Sequence, residues 1–118
     1  MLPAQHRLRA HGDFSDVVKR GRRASRPLLT LHLLAGSGRP DPVPSRAGLV
    51  VSKAVGGSVV RHRVARRLRH LLRDRVGALP SGTRLVVRAT PAAGDASSQA
   101  LAADLDAALD RLARPAAR

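Results

Sequence analysis

Cysteine is absent from the 118 residues, which excludes a disulfide scaffold, a thiolate zinc site and a cysteine nucleophile. Tyrosine and tryptophan are absent as well, and Phe14 is the single phenylalanine. That argues against an RNA reader that works mainly by stacking bases on aromatic platforms. Glutamate is missing, and the eight aspartates are scattered. No apolar run approaches the roughly 20 residues that span a bilayer, and the opening stretch MLPAQHRLRAHGDF has no apolar segment of the secretory kind. The five histidines, at 6, 11, 32, 62 and 70, show no metal-ligand spacing. No Ser/His/Asp order suggests a catalytic triad, and Gly56-Gly57-Ser58 lacks the frame of a phosphate-binding loop. The expectation is a single cytoplasmic domain, 1–118, with no membrane span, no protein-held metal, no catalytic residue of its own and no small-molecule substrate.

What the chain has in abundance is positive charge. Lys and Arg number 22 against 8 acids, a net charge of +14. Residues 1–94 hold 19 of the basic residues and 4 aspartates, a local +15, whereas residues 95–118 hold 3 and 4, a local −1. Apolar residues make up 43%, too many for a disordered basic tail. A folded domain with this charge favours a polyanion, nucleic acid ahead of an anionic membrane surface. Only Lys19 and Lys53 are lysines, and the other 20 cations are arginines. GC-rich codon usage accounts for arginine in place of lysine, but not for the basic excess. With so few rings, binding should rest on phosphates and shape and depend steeply on salt.

Punctuation and periodicity predict the order α-β-β-α-β-α. Residues 13–20 read as a short helix, with Asp13 as N-cap and Gly21 as its stop. Arg20-Gly21-Arg22-Arg23 reads as a basic turn. LLTLHLL at 28–34 reads as a buried strand, followed by a Gly/Pro-rich flexible hairpin connection over 35–46. AGLVVSK at 47–53 reads as a second strand, antiparallel to the first. A long helix runs from Ser58, as N-cap, to about Val76, with Gly77 at its end. RLVVRA at 84–89 is a third strand. Ser97 or Ser98 caps a last helix that carries Leu101, Leu105, Leu109 and Leu112 on one stripe, and 114–118 reads as a frayed tail. A strand, a long helix and a strand in succession suggest a parallel crossover, right-handed by default.

The long helix, SVVRHRVARRLRHLLRDRVG, carries the functional argument. At ~100° per residue, Val60, Val64, Leu68 and Leu71 fall in a sector of roughly 80° and form the expected core stripe. His62, Arg66, Arg69 and Arg73 lie opposite, within roughly 60° of one another, with Arg63, Arg67 and His70 on one flank. Residues 61–75 hold seven arginines and one acid, Asp74. Like charges at i,i+3 and i,i+4 repel, so a merely solvated helix face would interleave acids. A ladder of guanidiniums, each able to pair bidentately with phosphate, points to a polyanion-binding face.

At these residues the sequence resembles the protein subunit of bacterial ribonuclease P. Arg61-His62-Arg63 followed by Arg66-Arg67-Leu68-Arg69 is similar to that family's signature helix. His6-Arg7-Leu8 with Asp13-Phe14 and Val17-Val18-Lys19-Arg20-Gly21 resembles its opening segment. Gly48-Leu49-Val50-Val51-Ser52-Lys53 and Pro80-Ser81-Gly82 with Leu85-Val86-Val87-Arg88 resemble two of its strands. Four positions depart from the usual pattern: His62 stands for Asn, Ala54 and Ala65 for lysines, and Val18 for a second aromatic.

The resemblance implies a two-layer α/β sandwich with a small mixed sheet and a left-handed βαβ crossover, in place of the default hand. It implies that an RNA subunit is the catalyst, using Mg2+ held mainly by RNA to remove the 5′ leader of precursor tRNA, with the protein binding both the catalytic RNA and the leader. By position, Arg61, Arg63, Arg66, Arg67 and Arg69, joined by His62 and Arg73 from the helix face, become RNA contacts. Phe14, Val18, Ser52, Lys53 and Arg88 become the leader cleft. Phe14 as core and Lys53 as plain solvated charge stand beside those roles. The competing functions are a ribosomal-type protein that binds rRNA with no catalytic role, and a DNA-binding regulator.

Overall fold

Leu29, Leu31 and Leu33 are buried while Thr30 and Leu34 are only partly covered, the period-2 pattern of a strand packed on one face. The same alternation places Leu85, Val87 and Ala89 of the last strand with them, and turns Arg84, Val86 and Arg88 the other way. The computed structural model describes residues 4–8, 11–36 and 44–113. Its main elements are α1 (His11–Arg20), β1 (Arg22–Ser25), β2 (Leu29–Leu34), β3 (Arg46–Val50), α2 (Ser58–Val76), β4 (Arg84–Ala89) and α3 (Ser98–Ala113), with short 3-10 turns at Ala4–His6, Lys53–Val55 and Pro91–Asp95.

The sheet order is β1-β2-β4-β3. β2 is antiparallel to both neighbours, and β3 is parallel to β4, so β3–α2–β4 is the crossover unit. Three expectations are corrected here. The basic turn at 20–23 gives way to a strand: β1 pairs Arg22 with Leu33 through to Ser25 with Thr30, its Ala24 is buried, and Arg22 donates to the Leu112 carbonyl at 2.9 Å, near the end of α3. The second strand runs opposite to β2, as expected, but β4 lies between them, so 35–46 is not a hairpin connection. Residues 37–43 of that connection, and the tail 114–118, lie outside the described residues. The strand expected over 47–53 ends at Val50, because Ser52 leads into the turn at Lys53–Val55.

Helix ends match closely, with differences at the caps. α1 begins at His11, so Asp13 sits inside it rather than capping it. Gly57, not Ser58, occupies the N-cap of α2, and Gly77 follows its last residue. Ser97 does cap α3, its Oγ accepting from the Ala100 amide at 3.0 Å.

α2 and α3 pack together on one sheet face over Leu29, Leu31, Leu33, Leu85 and Val87. The α2 stripe that reaches full burial is Val64, Leu68, Leu72 and Val76, with Val60 and Leu71 partly covered at its margins. The i,i+4 ridge therefore continues to Leu72 and Val76, where the expected stripe had Val60 and Leu71 beside Val64 and Leu68. Each such leucine contributes about 1.5–3 kcal/mol on burial. Arg75 clamps the two helices through paired bonds of 2.5 and 3.0 Å to Asp106. Buried Asp104 accepts from the Leu28 amide at 2.9 Å and lies 3.5 Å from Arg26. α1 covers part of the opposite face, where Val17, Leu8 and Val86 form a second, smaller core.

Candidate nucleic-acid interface

Burying Val64, Leu68, Leu72 and Val76 fixes the rotation of α2, and that rotation sorts its cations. His62, Arg66, Arg69 and Arg73 are exposed, together with His70. Arg73 has only a loose contact with Asp74, at 3.9 Å between largely exposed side chains. The sequence-predicted ladder is therefore exposed to solvent, with Arg69 at the border where α2 adjoins β3.

Arg61, Arg63 and Arg67 are half-buried and behave differently. Arg63 donates to the Gly94 carbonyl at 2.9 Å and Arg67 to the Ala96 carbonyl at 2.6 Å. These carbonyls lie at the end of the Pro91–Asp95 turn, where orphan acceptors attract basic side chains. Gly94 is required there, since a Cβ would lie 2.7 Å from the Val55 carbonyl oxygen. Arg61 leaves a buried Nε without a partner and lines, with Ser58, His62, Arg69, Leu49 and Val51, a concavity of about 310 Å³. Arg67→Ala is expected to loosen the Pro91–Asp95 turn, raising amide exchange near Ala96, and to leave the salt dependence of RNA affinity unchanged. Arg66→Ala should flatten that dependence by about 0.7–0.9.

The cleft lies on the other sheet face. The Phe14 ring rests on Gly48, where any Cβ would occupy the ring's position. With Arg7, Leu8, Leu49 and Arg69 it lines a cavity of about 430 Å³. Phe14 is thus both a packing residue and a wall. Val18 is 44% exposed on α1. Arg88 is exposed on β4, between Thr30 of β2 and Val50 of β3 in the register. Ser52 and Lys53 are exposed beyond the end of β3. Arg69 lines both the cavity by Phe14 and the concavity by Arg61, so it joins the α2 face to the α1 side.

Sequence reasoning missed Arg7 at this cavity, and it missed His32 and Arg23, which face each other across β2 and β1. The one signal for His32 was a lone polar residue inside the run LLTLHLL. Burial first, then Arg23 and Arg88, hold its pKa below the usual histidine value.

The family described as Ribonuclease P matches residues 2–113. The chain belongs to the ribonuclease P protein family. Among the curated ribonuclease P protein components it resembles, that of Streptomyces avermitilis is 58% identical, covering 100% of both chains. That of Streptomyces bikiniensis is 59% identical over 95% of both. Solved ribonuclease P proteins share the fold. The Staphylococcus aureus protein superposes with a TM-score of 0.77 at 20% identity, covering 90% of this chain and 94% of its own. The Thermotoga maritima protein gives 0.72 at 22%, covering 95% and 99%. Among the described residues, no helix is long and apolar enough to cross a membrane.

Proposed function

We propose that the chain is the protein subunit of a cytoplasmic ribonuclease P holoenzyme, an endonuclease that removes the 5′ leader of precursor tRNA. Its partners are the catalytic RNA and the precursor. The observation that carries this reading is the exposed row His62, Arg66, Arg69 and Arg73 in a chain whose family match spans 2–113. The row contacts phosphates of the catalytic RNA. The leader lies along the α1 face, past Phe14, Val18 and Arg88 and toward Ser52 and Lys53. Hydrolysis belongs to the RNA, and magnesium sits on RNA phosphates. Guanidiniums repel a cation and attract phosphate. The protein's contribution is therefore positioning and charge neutralisation.

Reconstitution tests this directly. With a matching catalytic RNA at low magnesium, added protein should raise precursor-tRNA cleavage. No rise, where the RNA alone is active at high magnesium, would defeat the reading. Enrichment of rRNA, with no catalytic RNA, on the protein recovered from cells would favour a ribosomal role instead.

A further inference from the structure

The sheet face under α1 carries a histidine with one buried ring nitrogen left unpaired. His32 is 6% exposed, and its Nδ1 is buried with no hydrogen-bond partner. An unpaired buried polar atom costs stability, so a leucine or valine would serve packing better. The charges around it are mostly positive. The register sets Arg23 of β1 opposite His32 on one side and Val86 of β4 on the other, with Arg88 two residues further along β4. Arg23 and Arg88 are both exposed. β3 places the uncharged Gly48 and Val50 beside Val86 and Arg88, and Arg46 farther off beside Arg84. α1 carries Lys19, Arg20 and Asp16, and Asp16 is engaged by Arg84 at 3.6 Å and Arg20 at 3.9 Å. The site is thus a buried imidazole between two solvent-facing guanidiniums.

We propose that His32 takes up a proton from solvent when a phosphodiester strand occupies the cleft, so that the cleft grips a single-stranded leader more tightly as pH falls below neutral. The inference rests on the reading of this face as the leader site. With the cleft empty, burial first and then the two arginines disfavour the charged ring. A phosphate lying between Arg23 and Arg88 cancels the charges that oppose protonation. By linkage, the strand raises the proton affinity of the ring, and the proton raises the affinity of the strand by the same factor.

The test uses the holoenzyme reconstituted with its catalytic RNA. Affinities for precursor tRNA and for mature tRNA are measured between about pH 5.5 and 8, the range in which histidine titrates. Their ratio isolates the leader. The ratio should rise as pH falls, by at most about tenfold per pH unit for one proton, and His32→Gln and His32→Leu should both flatten it. Calorimetry in two buffers of different ionisation enthalpy should show proton uptake with the wild type and none with either variant. A second readout needs no RNA. A histidine whose pKa is lowered on folding stabilises fully above its unfolded value of about 6.5 and loses that stabilisation as pH falls toward the folded value. Wild-type stability should therefore drop over that window relative to His32→Gln. If the wild-type ratio exceeds one but keeps the same pH slope in both variants, the proton linkage is wrong and the leader site stands. If the ratio is one at every pH, the leader site falls and the linkage with it.

Discussion

Replacing Arg66, Arg69 and Arg73 together by alanine is expected to weaken binding to the catalytic RNA by about a hundredfold at low salt, taking roughly 1 kcal/mol per exposed phosphate contact. The slope of log affinity against log salt should flatten by about 2–3, since each lost contact removes about 0.7–0.9. Thermal unfolding should barely move. All three side chains are exposed, and among the described residues their one carboxylate contact is the loose one from Arg73 to Asp74. Their removal also relieves like-charge repulsion along α2. A salt titration of RNA binding checks the result, and an unchanged slope would take this row out of the interface.

Leu68→Asp has the largest expected effect on the fold itself. Leu68 is fully buried, midway along the stripe that docks α2 on the sheet. The change forfeits about 1.5–3 kcal/mol of burial and asks a carboxylate to enter an apolar site at a cost of several kcal/mol more. Against a typical stability of about 5–15 kcal/mol, the folded state should be lost or nearly so. Without tyrosine or tryptophan, the helical signal in far-ultraviolet circular dichroism is the measurement to use. Leu68→Ala should cost about 2–5 kcal/mol and still unfold cooperatively. A cooperative transition at wild-type temperature in Leu68→Asp would mean that α2 is not docked as described.

The elements with strong local signals were legible. α2 and β4 carry their own periodicity and turn residues, and α3 has a serine cap that forms the expected bond. The outward row of α2 followed from helical geometry alone. Missing were the features that depend on distant partners. β1 has arginines where a strand signal would sit, and it is held by β2 and by the end of α3. The insertion of β4 between β2 and β3 is a long-range pairing that neither strand encodes. Arg63 and Arg67 look in sequence like any other rung of the ladder, and only the fold brings the carbonyls of Gly94 and Ala96 to them. His32 likewise gains its meaning from Arg23 and Arg88, nine residues before and fifty-six after it in the chain.

The stretch at Arg7 and Leu8 has a consequence for the chain before it meets RNA. Arg7 bridges Ala47, and the Leu8 amide donates to the Ala47 carbonyl at 3.0 Å, so part of the outer side of β3 is already occupied. The opposite border of the sheet, β1, is four residues long and carries two arginines. Open strand borders recruit other chains into shared sheets, and short, charged or covered ones resist it. Both borders of the sheet are therefore guarded against pairing edge to edge with a second copy of the chain.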